Sequence, residues 1–246
     1  MTTLALRRFL PPEHGAWGFL AAGVVTGLMV APSGAGLLIA LGVILGLVAR
    51  HAGQMALTGL AVWPVALAVG AASLAAWTLA VLQAPACLPW LGGAVVITLL
   101  QLAGEAGARR HGTAGVLEGG LALALVGGAV AVAGGADLRT AAVVAGVVTG
   151  YLLGCIPLVR ARRQPLTAWR KDALIGHAAA VIVAMVGAVW WNTPWLVAVA
   201  FALLLVRGVV ILRQTAPMTP KAIGLAEIPP LILLVVATAV GLRGGW

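Results

Sequence analysis

Charged side chains are scarce in this sequence. Only 9% of its 246 residues are charged, whereas 62% are hydrophobic and the mean hydropathy is +1.11. Soluble domains carry about 25% charged residues, and a globular core could not hide so much apolar surface. The composition therefore excludes soluble enzymes, nucleic-acid-binding domains and disordered proteins. It predicts an all-α polytopic membrane protein, built as a single transmembrane domain over residues 1–246.

Cysteine is also rare, and the histidines are scattered. The two cysteines, Cys87 and Cys155, fall in different predicted layers and indicate neither a disulfide framework nor a metal knuckle. The four histidines show no His-x-x-x-His or Glu-x-x-His spacing, so no metal site is predicted. The 33 glycines favour close helix packing in lipid, and no Gly-Lys-Ser/Thr follows them as a phosphate loop would require. The sequence identifies no cofactor.

Apolar segments of about 20 residues are long enough to cross the hydrocarbon core of a bilayer. The sequence predicts nine such helices, at about 13–30, 34–49, 57–82, 89–103, 115–133, 138–159, 172–191, 194–212 and 223–242. With the N-terminus inside, 13 of the 15 basic residues fall on the cytoplasmic side, leaving only Arg139 and Arg243 outside. This bias predicts a multi-pass protein of the bacterial inner membrane with its C-terminus outside. Pro11 to His14 interrupt a signal-peptide pattern, so we expect helix one to be retained.

Similar residues recur at a fixed spacing along the chain. Arg50 and Arg160 are 110 positions apart, and Glu118 and Glu227 are 109 apart. Chance similarity in a low-complexity sequence is the alternative to a repeat. An even number of helices per unit gives parallel repeats. The predicted units are 13–112 and 113–222, followed by a final helix at 223–242.

The most distinctive motif is Pro11-Pro12-Glu13-His14-Gly15-Ala16-Trp17, which opens helix one. Pro12 suits a first helical turn, and Glu13 lies where the helix dipole is positive. His14 and Trp17 are three positions apart and share a face. The motif is either a capped helix start with an interfacial tryptophan, or part of a polar site at the cytoplasmic mouth.

This motif, at the start of a small polytopic protein, resembles the YwiC-like family of bacterial membrane proteins. That family has no settled biochemical function. The resemblance therefore implies that Glu13, His14, Gly15 and Trp17 are the residues to test, and it leaves the reaction open.

The predicted architecture is also similar, more weakly, to the UbiA prenyltransferase superfamily. That resemblance implies a membrane pocket in which Asp-rich loops after helices two and six hold a diphosphate through magnesium. The corresponding segments here carry basic and amide side chains instead: Arg50, His51, Gln54, Arg160, Arg162, Arg163 and Gln164. Because magnesium requires oxygen ligands, a metal–diphosphate prenyltransferase of the usual kind is not expected.

Five arginines are candidates for anion binding, because guanidinium groups bind phosphate and carboxylate bidentately. They are Arg50, Arg160, Arg162, Arg163 and Arg207. The alternative is that cytoplasmic loops and helix C-termini are simply basic. The functional interpretation predicts an anion-binding cleft between the two repeats, in which lipid head groups are the commonest anions.

Acidic, histidine and arginine side chains at the cytoplasmic helix ends predict one shared polar pocket. Its predicted members are Glu13, His14, Trp17, Arg50, Glu118, Arg160, His177 and Glu227. The leading hypothesis is a UbiA-like pocket that binds an anionic lipid-like or isoprenoid molecule, with or without chemistry on it. The alternatives are a small proton-coupled transporter and a non-catalytic membrane assembly factor. The lipid bilayer is the expected partner, and nucleic acid is not.

Overall fold

A computed structural model describes residues 14–60, 62–106, 113–163, 167–214 and 218–244. Within these ranges the chain forms nine α-helices, one short 3-10 turn at Pro85–Cys87 and no strand. The helices are α1 (His14–Val30), α2 (Gly34–Leu57), α3 (Trp63–Gln83), α4 (Leu88–Ala106), α5 (Thr113–Ala133), α6 (Leu138–Arg163), α7 (Thr167–Trp190), α8 (Trp195–Arg213) and α9 (Pro220–Arg243). The predicted all-α architecture is confirmed.

Seven segments are long and apolar enough to cross a membrane, and they comprise α2, α3, α4 and α6 to α9. The apolar parts of α1 and α5 are shorter, at Trp17–Val30 and Leu117–Ala133. The chain is therefore an integral, multi-pass membrane protein. The lipid-facing character is plainest on α3 and α4, where leucines such as Leu67, Leu74 and Leu99 are more than half exposed.

Helices α1 and α5 form the centre of the bundle. Helix α5 also packs against α2, α4 and α6, and α1 also packs against α6 and α9. Their backbones meet at glycines: a Cβ on Gly23 would lie 2.8 Å from the carbonyl oxygen of Leu123, and one on Gly27 would lie 2.7 Å from that of Gly127. Small residues at this crossing thus allow close helix contact, as is typical of membrane bundles.

One aromatic side chain joins the two halves of the bundle. Phe19 on α1 packs against three separate groups of buried apolar residues, which include Leu20, Phe201 and Leu152 respectively. Its ring also meets the ring of Tyr151 edge to face, with centroids 6.5 Å apart. The first and second halves of the chain therefore share one core.

Polar side chains fix several helix starts. Ser33 and Thr219 accept hydrogen bonds from the backbone N–H groups of Gly36 and Ala222, at 2.9 and 3.2 Å. Asp137, between α5 and α6, accepts one from Thr140 N at 2.7 Å. This bond stabilises the carboxylate and lowers the pKa of Asp137 below its ordinary value.

The helices run up and down, so the turns gather at two ends of the bundle. At one end Arg243 Nε donates to Val30 O over 3.4 Å, and Arg139 donates to Trp191 O. At the other end Arg162 on α6 donates to Gln214 O just after α8. We call this second end, where α2, α6 and α8 finish, the basic end, because Arg50, Arg162 and Arg213 lie near it.

Several predicted boundaries were wrong at the basic end. Helix α2 continues to Leu57 rather than ending at Ala49, so Arg50, His51 and Gln54 lie on a helix and not in a loop. No proline interrupts this stretch, and buried Ala52 and Ala56 pack its inner face.

Two further boundaries are corrected, each for its own reason. Helix α6 continues to Arg163 rather than Val159, since long basic side chains can reach the interface while the helix persists. Helix α3 starts at Trp63 rather than Leu57, because Gly59 adopts a positive φ of 94° and Pro64 occupies the first turn. The division into repeat units stays a prediction.

Candidate functional site

A group of polar side chains lies inside the bundle around the carboxylate of Glu227. Arg207 Nη2 on α8 donates to Glu227 Oε1 at 2.7 Å, forming an ion pair, and its Nη1 lies 3.4 Å from Oε2. From α6, the Tyr151 hydroxyl donates to Oε2 at 2.7 Å and the Cys155 thiol lies 3.4 Å from the same oxygen. We call these four residues the Glu227 cluster. They join three helices through one carboxylate.

The Glu227 cluster lies well inside the membrane-spanning helices. Arg207 is six positions before the end of α8, and Glu227 is seven positions after the start of α9. At a rise of 1.5 Å per residue, both are about 10 Å in from the basic end. Ionisable groups at this depth are costly and are usually retained for function.

The sequence of α9 explains how Arg207 is held. Pro229 and Pro230 lie inside this helix, and proline has no N–H to donate. The carbonyl of Ala226, four positions before Pro230, therefore lacks its usual helical donor. Arg207 Nη2 donates to that carbonyl oxygen at 2.8 Å. The guanidinium is thus fixed by a backbone acceptor as well as by the carboxylate.

His177 on α7 is packed against α6 and α8 close to the Glu227 cluster. Its side chain is buried, and a Cβ built on Gly154 would lie 2.5 Å from its Nδ1, so only glycine leaves room for the ring. The ring also faces Gly208, the neighbour of Arg207. Nδ1 lies 2.8 Å from Ala173 O, and because a carbonyl only accepts, the neutral ring carries its proton on Nδ1.

A small cleft opens beside the Glu227 cluster, between α6, α8 and α9. It has a free volume of about 10 Å³ and is lined by Arg162, Arg207 and Glu227. The rest of its lining is mainly apolar, with Leu158 and Ile211 among the wall residues. The Arg207 and Glu227 side chains are 23% and 16% exposed, so the ion pair is accessible from one side. The arrangement offers two guanidinium groups to one carboxylate, with apolar walls around them.

The other predicted arginines lie in different surroundings. The Arg160 guanidinium stacks over the Trp169 ring at 4.8 Å from its centroid, which is a cation–π contact on the outside of the cleft. Arg50 is half-buried on α2 and does not line the cleft. The side chain of Arg163 lies outside the described residues. Of the five candidate arginines, Arg162 and Arg207 are the pair that the cleft brings together.

Of the remaining members of the predicted pocket, two lie at or beside the cleft and the others do not. Glu227 lies in the cleft, and His177 is buried beside it. Trp17 packs, partly buried, against the apolar core, and Glu118 is half-buried on α5. Glu13 and the side chain of His14 lie outside the described residues.

Sequence reasoning missed two residues that contact Glu227. Tyr151 is the single tyrosine of the chain, and Cys155 was considered only as a disulfide or metal ligand. The two are four positions apart and so share one face of α6. An isolated tyrosine and cysteine at that spacing, inside an otherwise apolar helix, is the signal that could have indicated a carboxylate partner. Within the described ranges, no group of three or more His, Cys, Asp or Glu side chains is placed to hold a metal ion.

Comparison with known proteins identifies one family. Residues 10–131 match the family described as YwiC-like protein, a range that includes the motif at Pro11 to Trp17 and nearly all of α1 to α5. The resemblance predicted from that motif is confirmed. No curated protein and no solved structure matches the chain. The Glu227 cluster lies wholly in the half of the chain beyond the matched residues.

Proposed function

We propose that this chain, which is YwiC-like over residues 10–131, is an integral membrane protein that binds an amphiphilic anion in the cleft between α6, α8 and α9. One observation carries the proposal: two guanidinium groups and a single carboxylate line a cleft whose walls are otherwise mainly apolar. A phosphate or carboxylate head group with an apolar tail matches that combination.

The charge of the cleft supports an anionic head group. Arg162, Arg207 and Glu227 leave one positive charge in excess. A guanidinium can bind phosphate through two parallel hydrogen bonds, and the apolar surroundings strengthen the attraction. The free space in the cleft is about 10 Å³, which is room for about one water molecule. A head group would therefore enter only where α6, α8 and α9 part around the two arginines, while the tail lies along apolar helix surfaces.

The donor set differs from that of a metal–diphosphate site. Glu227 supplies the one carboxylate that lines this cleft, and that carboxylate already forms an ion pair with Arg207. Direct binding of the anion by arginine, as the sequence suggested, is the chemistry that suits these side chains.

Replacing Arg207 tests this proposal. Native mass spectrometry in neutral detergent is expected to show anionic lipid retained on the wild-type protein. Retention should fall about 10-fold or more in Arg207→Gln, because a charge-assisted hydrogen bond contributes about 1.5–3 kcal/mol. Arg213→Gln is the matched control: it removes the same charge from the exposed end of α8, outside the cleft.

The paired variant Arg207→Gln/Glu227→Gln guards against unfolding caused by an unpaired carboxylate. It removes both charges together, and it should also lose the anionic lipid. Equal retention by wild type, the paired variant and Arg213→Gln would refute the proposed site.

We also propose that the basic end faces the cytoplasm, in the bacterial inner membrane. The excess of basic residues in the turns at that end supports this orientation. A reporter inserted at Arg163 is expected to read as cytoplasmic, and one fused after Trp246 as extracytoplasmic. If both reporters lay on the same side of the membrane, the proposed orientation would be contradicted. An odd number of spans between the two insertion points would be contradicted as well.

A small proton-coupled transporter is the second candidate. Glu227 favours it, because a carboxylate at membrane depth, paired with arginine, is a typical element of ion coupling. Substrate flux into proteoliposomes distinguishes this candidate from a binding protein.

A further inference from the structure

The three walls of the cleft differ in how firmly they are held, and one of them has to move before a head group can enter. The walls on α6 and α8 are tied to neighbouring helices. Helix α6 carries Pro157, but Leu158 and Ala161 just after it are buried in one group with Ala173 of α7 and Leu212 of α8. The end of α6 is therefore fixed in spite of its proline.

The wall on α9 is formed by residues 220–228, which precede Pro229 and Pro230. Because proline has no N–H, the carbonyl groups of Leu225 and Ala226 lack their usual helical donors. The first turns of α9 are thus joined to the rest of the helix by fewer hydrogen bonds. Prolines are also the commonest sites of sharp helix kinks.

Packing along α9 changes at the same two prolines. Before them, Gly224 and Leu225 are exposed, and a Cβ on Gly224 would meet no atom within 4 Å. After them, Leu234 is buried, and a Cβ on Gly241 would overlap the side chain of Pro194. A bend at the prolines would therefore displace the first turns of α9 and leave the rest in place.

The first turns of α9 are fastened to the bundle at the anion site itself. Arg207 Nη2 donates to Ala226 O at 2.8 Å and to Glu227 Oε1 at 2.7 Å. The Tyr151 hydroxyl donates to Glu227 Oε2 at 2.7 Å. An anion that takes the Arg207 donors therefore competes with the contacts that hold this part of α9 in place.

We propose that residues 220–228, the α9 flap, swing outward at Pro229 and Pro230, and that an anion bound to Arg207 holds the flap open. This inference rests on the proposed function, because it concerns entry into the same cleft. The positive charges of Arg162 and Arg207 balance both Glu227 and the ligand anion, so the exchange of contacts requires no change of protonation.

Distances between spin labels in the full chain test the flap. Gly224→Cys places one label on the flap, where a side chain has room, and Leu99→Cys places its partner on the exposed face of α4. Val236→Cys with Leu99→Cys is the matched control, since Val236 is exposed beyond the prolines. Cys87 and Cys155 are buried, and the unsubstituted protein treated with the same label gives the background.

The distance from Gly224 to Leu99 is expected to depend on the lipid. Gly224 lies about 7.5 Å along the axis from Pro229, so a bend of about 20° moves it by about 3 Å. We expect this shift in nanodiscs of dioleoyl phosphatidylglycerol relative to dioleoyl phosphatidylcholine, with no change in the Val236–Leu99 distance. Pro229→Ala/Pro230→Ala restores the missing N–H donors, and the shift should be lost.

The outcomes separate the flap from the anion site. If native mass spectrometry shows retained phosphatidylglycerol and the Gly224 label does not shift, the flap is wrong and the site stands. An equal shift at Val236, or a shift that persists without the prolines, would also overturn the hinge.

If the chain does not prefer phosphatidylglycerol, the proposed function fails, and the flap is judged without anionic lipid. Glu227→Gln weakens the fastening and should spread the Gly224–Leu99 distances beyond the wild-type range. Tyr151→Phe removes one donor to Glu227 and serves the same purpose if the first variant does not fold. Distances identical to those of the wild type would then overturn the flap as well.

Discussion

Glu227→Ala is expected to lower the free energy of unfolding by about 3 kcal/mol, because it leaves the Arg207 guanidinium without its carboxylate inside the bundle. Breaking one partner of a buried ion pair costs about 3–5 kcal/mol, and the partial exposure of this pair places it at the lower end. The loss also removes the carboxylate oxygen that accepts from Tyr151 and Cys155. Thermal unfolding of the purified protein in mild detergent measures the change.

Removing both charges separates the cost of an unpaired charge from the cost of lost packing. Arg207→Leu/Glu227→Leu should recover most of the stability, since replacing a buried ion pair by apolar residues is often nearly neutral. Arg213→Leu, at the exposed end of α8, should change the stability by no more than about 0.5 kcal/mol. If the paired substitution lost as much as the sum of the single substitutions, Arg207 and Glu227 would not be energetically coupled.

Gly176→Ala is expected to be among the most damaging single-methyl additions in this protein. A Cβ at Gly176 would lie 2.2 Å from the carbonyl oxygen of Leu153, so α6 and α7 would have to separate. The added methyl group would meet backbone atoms, so no flexible side chain could move aside to make room for it. Overpacking costs about 1–3 kcal/mol, and more where the backbone must move.

The close approach of α6 and α7 at Gly176 has a local cause in α6. Pro157 has no N–H, which leaves the Leu153 carbonyl, four positions earlier, without its usual helical donor. That carbonyl faces Gly176, where a Cα–H group can approach it closely. Separation of the helices would expose an unpaired carbonyl to lipid as well as lose packing.

Gly146→Ala is the matched control for this prediction. It lies on α6, and a Cβ there would meet no atom within 4 Å. Alanine should be neutral or stabilise the helix by about 0.5–1 kcal/mol, because it restricts the unfolded chain. Thermal unfolding should therefore separate the two variants clearly. Equal melting temperatures would show that α6 and α7 do not approach each other as described.

The sequence was informative about the helices because apolar length alone specifies a membrane span. It was less informative about their ends, since α2 continues through Arg50 and His51 without a breaking residue. Arg207 and Glu227 each attracted attention as rare charges, but their pairing depends on how α8 and α9 are rotated about their axes. Apolar helices with little amphipathic character carry no signal for that rotation. Tyr151 was missed because its role depends on the hydrogen-bond acceptor, and that acceptor, Glu227, lies on a different helix.

The position of Phe19 bears on how the chain could be divided. This ring stands two residues after the motif at the start of α1, and it packs against core groups that include residues of α6, with its edge-to-face contact on Tyr151. The YwiC-like half of the chain therefore closes its interior with side chains from the other half. A fragment that stopped near residue 131 would present an open, unfilled face where α6 and α9 now lie. We therefore expect that grafting the matched segment alone onto another membrane protein would not transfer a finished structure.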